Sequence, residues 1–331
     1  MNVADIIKQS LDGIPCRPEQ TLFLLSLPAD APETYQVMAE ARRLSRELTG
    51  DRAEVHGQFA LNLAPCRANC LFCSFAACNK IFTKASKISP EEAVLSSRHL
   101  EELGSSAIYM MATDNFPFAE TIAMAREIKA ALKPETMLIA NVGDRTPAEA
   151  RAMKEVGFSG VYHALRLGEG RQTGIDPQVR LASLRAFQEA GLTVGTCVEP
   201  IGPEHSNEEL AERIHFTAEL NPAFSGAARR ISIPGTELAE KYGMISELRM
   251  AQVVAITRLA LPRTVLGNCT HEPTLLAAAA GANLFWAEIG ANPRDIKEKT
   301  EDGRGFTVPK CREMFLDVEF GVLEGPSRFF R

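Results

Sequence analysis

Apolar residues along the chain follow two alternating rhythms. Short apolar runs stand at 59–64, 107–112, 137–142, 160–165, 193–199, 227–233, 264–269 and 283–289, and they predict strands. Between them lie helically patterned segments with clear start and stop signals. Ser89 is placed as an N-cap before Pro90, Glu92 completes a capping box and Gly104 marks the stop. Thr146, Pro147, Glu149 and Gly157 repeat the device, and Ser206 with Glu209 opens another helix. Such a βα rhythm implies parallel strands joined by right-handed crossovers, and eight units predict an α/β fold, a closed (β/α)8 TIM barrel, over 56–290. Residues 1–55 predict an N-terminal helical extension covering an end of the barrel. Residues 291–331 predict a polar loop and a short C-terminal helix closing over the opposite rim, with the last residues, EGPSRFFR, as a frayed tail.

Composition adds limits. With 331 residues, 45% of them apolar and 24% charged, the chain can bury a full core as one large domain. A net charge of -6 argues against nucleic acid as the main partner, which needs a basic field. The start, MNVADIIKQSLDG, lacks the basic opening and apolar core of a secretion signal, and no apolar run is long enough to span a bilayer, so a cytoplasmic protein without a membrane partner is expected. In a reducing compartment, eight cysteines point to metal or redox chemistry rather than disulfides.

Three of the eight are crowded into CRANCLFC: Cys66, Cys70 and Cys73, spaced C-x3-C-x2-C just after the first predicted strand. The loops at the strands' C-terminal ends are where barrel active sites are built. A structural zinc wants four ligands, usually as two close pairs, and no second pair follows. Three thiolates suit a 4Fe-4S cluster with one iron left open to bind something else.

This triad, with Phe72 directly before the last cysteine, resembles the signature of the radical S-adenosylmethionine (SAM) superfamily. The helical start, the triad, NKIFTKASKISPEEAV and the compact barrel are similar to the biotin synthase group, which also holds methylornithine synthase, a hydrogenase maturase and a two-protein lipoyl synthase. The resemblance implies a 4Fe-4S cluster on Cys66, Cys70 and Cys73, SAM bound at its open iron, and a 5′-deoxyadenosyl radical that takes hydrogen from an unactivated C–H bond. It further implies that Ala112, Thr113 and Asp114 meet the amino end of SAM, Arg166 its carboxylate, Glu169 its ribose, and Ile201 and Gly202 its adenine. Expected partners are a small-molecule or acyl-carrier substrate, a reducing flavodoxin or ferredoxin and, in the lipoyl synthase case, a second radical SAM protein.

Biotin synthase holds further cysteines inside its barrel, where Tyr109 and Ile139 stand here, so biotin synthase itself is not expected. Five cysteines remain, each either a small core residue or a ligand of a second Fe-S cluster. Cys197, Cys269 and Cys311 are the candidates; Cys197 shares a strand face with Glu199, and Cys269 with Gly267. Ser327 invites comparison with a cluster-ligating serine near the end of lipoyl synthases. Arg229, Arg230, His271 and Glu288 are candidate substrate contacts, with one of the two arginines expected to face the cavity; His163 reads as a satisfied core histidine. The expected reaction is sulfur insertion into an acyl chain. Alternatives are radical rearrangement or fragmentation of an amino-acid-like substrate and, in another class, a non-catalytic Fe-S carrier that would make no 5′-deoxyadenosine.

Overall fold

The computed structural model describes residues 1–63 and 65–330. Its first barrel strand, β1 (Arg52–Ala60), begins upstream of the run expected at 59–64, whose last residue, Ala64, lies outside the described residues. Ala53, Val55 and Phe59 pack outward beneath the helices, while Glu54, His56 and Gln58 take the alternate, inward positions. Inward polar residues are what disguised this strand. His56 sits between Glu54 (2.8 Å) and the Tyr109 hydroxyl (3.0 Å), so the buried polar groups are paired.

Seven more strands follow: β2 (Ala107–Met111), β3 (Met137–Asn141), β4 (Gly160–Tyr162), β5 (Thr193–Gly195, resumed as Val198–Ile201), β6 (Phe224–Arg229), β7 (Gly267–Cys269) and β8 (Leu284–Ile289). All pair in parallel in chain order, and β8 pairs with β1. The first part of β5 pairs with β4 and the second with β6. Ala223 N–H bonds to Val194 O (2.8 Å) and Thr196 N–H to Phe224 O (3.1 Å), so the interrupted strand closes the ring. The eight-unit barrel is therefore present.

The predicted capping boxes form on α4 (Pro90–Glu102), α6 (Pro147–Val156) and α8 (Asn207–Glu219), each cap contributing about 1 kcal/mol. The N-terminal helices α1 (Val3–Leu11), α2 (Pro18–Leu25) and α3 (Pro32–Thr49) do not cover an end of the barrel. Instead α3 lies along α10 (Glu247–Ala260), and α2 packs on α8 and α10. Sandwiched between barrel and extension, α10 is buried from Met250 through Ala260, which explains a helix apolar on more than one face.

The C-terminal segment also differs from expectation. Helix α12 (Val308–Asp317) packs on β1 and β8 as an outer helix of the barrel and is no lid. Beyond it, Gly321 and Val322 extend the sheet beside Arg52 and Ala53, and the tail closes the N-terminal end of the barrel. Ser327 N–H bonds to Ser106 O (2.7 Å), Arg328 N–H to Glu54 (2.8 Å), and Phe329 and Phe330 are buried against His56, Tyr109 and Phe224. The tail is ordered because two aromatic rings leave water there, about 1.5–3 kcal/mol each. That end of the barrel is shut, and the cavity lies at the other.

Candidate active site

The cavity opens at the C-terminal ends of the strands, with Cys66, Cys70 and Cys73 on its wall. Their loop is fixed by its own backbone and by its neighbours. Cys66 N–H bonds to Phe75 O (2.7 Å) and Cys73 N–H to Cys70 O (2.9 Å). Leu71 N–H bonds to Gln172 O, Ser74 N–H to Pro293 O and Gly174 N–H to Ala68 O, so the loop is tied to the loops that follow β4 and β8. The Asn79 amide reaches the carbonyls of Cys73 (2.8 Å), Leu71 and Cys70. Nothing in the sequence singled Asn79 out; a lone asparagine in a loop carries no such signal.

Among the described residues, one trio of His, Cys, Asp or Glu side chains has all its ligand atoms within 4.8 Å of one another, and it is not this one. The triad sulfurs do not all lie within that distance of one another, whereas thiolates on a single tetrahedral ion lie about 3.8 Å apart. That spread, with three thiols and no fourth ligand, fits a 4Fe-4S cluster. Burial pushes the Cys70 thiol up to about 11, with Arg166 and Arg180 pulling the other way, and burial likewise raises Cys73. The thiolates these ligands must become are thus unfavourable until a cation compensates them.

Ala112, Thr113 and Asp114 come together on the cavity wall after β2, with Met111 beside them. Asn62 pins Thr113 through two bonds, to its N–H (3.0 Å) and its hydroxyl (2.8 Å). Asp114 lies against Gly143, where a Cβ would stand 2.3 Å from the Asp114 carboxylate, so only glycine permits this approach. Arg166 also lines the cavity, 3.8 Å from Glu169 and 3.9 Å from Glu199. Its Nη1 is buried without a hydrogen-bond partner, a donor left over for an incoming acceptor such as a carboxylate.

Glu169 lies off the lining. It accepts from Thr173 (2.6 Å) and from Arg166 N–H (3.1 Å), and faces Arg180 (3.6 Å). Ile201 is packed in the outer core, and Gly202 turns toward His205 and Arg230; neither lines the cavity. Both Arg229 and Arg230 border it, where one was expected, because β6 ends at Arg229 and its alternation stops there. Each is already held, Arg229 by Glu272 and Glu247, Arg230 by Glu204 and the Gly243 carbonyl. Glu288 faces the cavity but is engaged by Gln58, Asn292 and Arg294.

Beside β4, His163 Nε2–H donates to Asp144 (3.0 Å), and Arg180 stands over the same ring, so the core-histidine expectation is met with a charged neighbour that sequence did not reveal. Burial and then Arg180 hold His163 down to about 4. Burial would raise Asp144, yet His163 and Arg180 outweigh it and hold the carboxyl down to about 2.

The remaining cysteines sort by wall. Cys197 and Cys269 both face the barrel interior, as their strand faces implied, and with His271 they form the tight trio. Cys311 does not join them. It sits on α12, outside the wall, with its thiol on the Trp286 carbonyl, so the backbone of β8 separates it from the interior. Ser327 is at the shut end of the barrel, opposite Cys66, and the comparison with a cluster-ligating serine fails on position. His271 lines the cavity, with Nδ1 2.9 Å from Glu199. Burial alone would raise Glu199, but His271 and Arg166 bring it down to about 2; burial alone would lower His271, but Glu199 and then Cys269 lift it to about 9.

Residues 65–217 match the model of the radical SAM superfamily. The chain is 26% identical to the biotin synthase of Desulforudis audaxviator over 250 residues, 72% of this chain and 74% of that one. It is 25% identical to the biotin synthase of Kocuria rhizophila over 246 residues, 72% of this chain and 52% of that one. Among solved structures, methylornithine synthase superposes with a TM-score of 0.80 at 15% identity, covering 98% of each chain. The FeFe-hydrogenase maturase HydG from Carboxydothermus hydrogenoformans gives 0.78 at 20% identity, covering 96% of this chain and 78% of that one. At these identities the two superpositions establish the fold alone.

Proposed function

Because the chain belongs to the radical SAM superfamily, in its biotin synthase-like group, we propose that it takes a hydrogen atom from an unactivated C–H bond and directs the resulting carbon radical to a bridging sulfide of an Fe-S cluster supplied by a second radical SAM protein, whose ferric iron takes up the electron released. The observation carrying this reading is the donor set at the mouth: three cysteines without a fourth ligand, beside an arginine with an unspent donor. Cys66, Cys70 and Cys73 would hold the 4Fe-4S cluster. When bound there, that cluster supplies the electron that splits SAM into methionine and a 5′-deoxyadenosyl radical.

The chain's own residues bind, orient and exclude water. Arg166 would pair with the SAM carboxylate through Nη1, and Asp114, on the loop that Asn62 fixes, would meet the ammonium. Trp286 and Tyr162 wall the cavity with aromatic surface, which keeps water from a reactive carbon radical. Sulfur insertion is favoured over other outcomes by the biotin synthase relatives and by the thiols buried inside the barrel. The acceptor would be an acyl chain on a carrier, and the electron donor a reduced flavodoxin or ferredoxin. A rearrangement or fragmentation of an amino-acid-like substrate is the second reading, favoured by Arg229 and Arg230 at the cavity, where a substrate carboxylate could exchange with their present partners.

The test is anaerobic turnover of reconstituted, reduced protein with SAM, an octanoylated carrier domain and an added Fe-S cluster-loaded protein as sulfur source. The expected result is 5′-deoxyadenosine together with carrier-bound product that has gained sulfur. Absence of 5′-deoxyadenosine refutes the radical chemistry and leaves an Fe-S carrier; 5′-deoxyadenosine formed only with amino acids refutes sulfur insertion into an acyl chain.

A further inference from the structure

We propose that Cys197, Cys269 and His271 form a second metal site, which takes a single divalent ion suited to sulfur and nitrogen ligands, zinc or ferrous iron, inside the barrel. Cys197 lies in the break between the two segments of β5, Cys269 ends β7, and His271 follows two residues later on the same face. Their ligand atoms all lie within 4.8 Å of one another, and both cysteines are fully buried. Two thiolates and an imidazole on one tetrahedral ion lie about 3.5–3.8 Å apart, so closing onto an ion takes small side-chain rotations and no backbone movement. All three ligand atoms on one ion is what this closeness fits; ligands shared out over the irons of a cluster stand farther apart from one iron to the next.

A second, independent observation points to a ligand. Buried His271 gives Nδ1 to Glu199 at 2.9 Å, whereas its Nε2 makes no hydrogen bond of ordinary geometry and faces only the Cys269 thiol, itself one of the proposed ligands. Leaving such a nitrogen buried and unpaired costs about 1–3 kcal/mol. A carboxylate that fixes one ring nitrogen while the other is left free is the usual arrangement of metal-binding imidazoles. The ring is also held edge-on by Trp286 (4.5 Å between centroids) and Tyr162 (5.0 Å), so Nε2 is preorganised.

Charge agrees with this assignment. One divalent ion neutralises two thiolates, and Glu199 keeps Arg166 at 3.9 Å as its own counter-charge. Three protein ligands leave a fourth position, and His271, which lines the cavity, links the ion to the space where substrate would lie. The use of the ion in catalysis rests on the sulfur-insertion reading, but its binding does not.

The test uses the full-length chain carrying C66A, C70A and C73A, so that metal bound cannot be on the triad, titrated anaerobically with cobalt(II) as probe. The expected result is one cobalt per chain with thiolate-to-cobalt charge-transfer absorption, abolished by adding C197S and C269S. Glu199→Gln should weaken cobalt binding about 10- to 100-fold while the absorption at saturation persists. Circular dichroism reports folding; if the cysteine substitutions unfold the chain, the Glu199→Gln affinity decides. Absence of the charge-transfer band, a band indifferent to C197S and C269S, an unchanged affinity in the Glu199→Gln chain, or iron that returns with acid-labile sulfide after reconstitution would each overturn the single-ion site. Wild-type protein that makes no 5′-deoxyadenosine would sink the proposed function and leave this result standing.

Discussion

His163 should reverse its effect on stability as pH falls. In the folded chain burial, reinforced by Arg180, lowers its pKa from 6.5 to about 4. Between those values the unfolded chain carries a proton on this residue that the folded chain does not, so stability is lost as pH drops and is fully present only above about 6.5. The slope is about 1.4 kcal/mol per pH unit, and over the whole window the loss is about 3 kcal/mol. His163→Gln removes the titration. At pH 7.5 the variant also loses the bond to Asp144 and part of the ring's packing on Phe187, so it should be less stable than wild type by about 1 kcal/mol.

The two curves should therefore cross. Near pH 4.5 wild type has lost about 2–3 kcal/mol to this one group, and the variant becomes the more stable of the pair by about 1–2 kcal/mol. Urea unfolding of cluster-free protein between pH 7.5 and 4.5, followed by far-ultraviolet circular dichroism, measures both curves. Parallel curves would refute the argument, because the other titrating groups, apart from the Asp144 that His163 holds down, are common to both proteins and cancel in the difference.

Glu199 and His271 share one interaction with the opposite sign. Since His271 is raised to about 9, its contribution is present below about 6.5 and lost as pH rises toward 9, and metal-free Glu199→Gln protein should lack that alkaline decline in urea midpoint. Truncating Phe330 to Ala removes a buried ring from the closed end and should cost about 3–5 kcal/mol, seen as a lower calorimetric transition, while SAM cleavage at low temperature persists; an unchanged transition would mean the tail is not docked. Gly226→Ala places a Cβ 2.1 Å from the Cys269 carbonyl at a φ of +143°, so β7 must shift; loss of soluble protein or at least about 3 kcal/mol in urea titration is expected, and wild-type stability would contradict the close approach of β6 to β7.

What sequence revealed and what it hid divide along a physical line. Capping boxes, outward apolar faces and the C-x3-C-x2-C spacing are local, so the helices, the βα order and the cluster loop could be read directly. Inside a barrel the rule that apolar means buried breaks down, because inward positions can be polar and paired with one another. Glu54, His56 and Gln58 hid the start of β1 for that reason. Period two did place Cys197 and Cys269 on the inner face, but it could not supply their partner: Cys311 stood as the third ligand and His271 as a substrate contact, whereas the wall formed by β8 separates Cys311 from the interior. Likewise Phe329 and Phe330 looked like a frayed end because the surface they cover is assembled from β1, β2 and β6, distant in the chain. The last two misses are contacts between residues far apart in sequence, and the meeting of the two inner thiols is such a contact too. Its chemistry follows from closure of the ring through the broken strand β5, because without the pairing of β5 to β6 and β6 to β7 the two thiols would have no reason to meet.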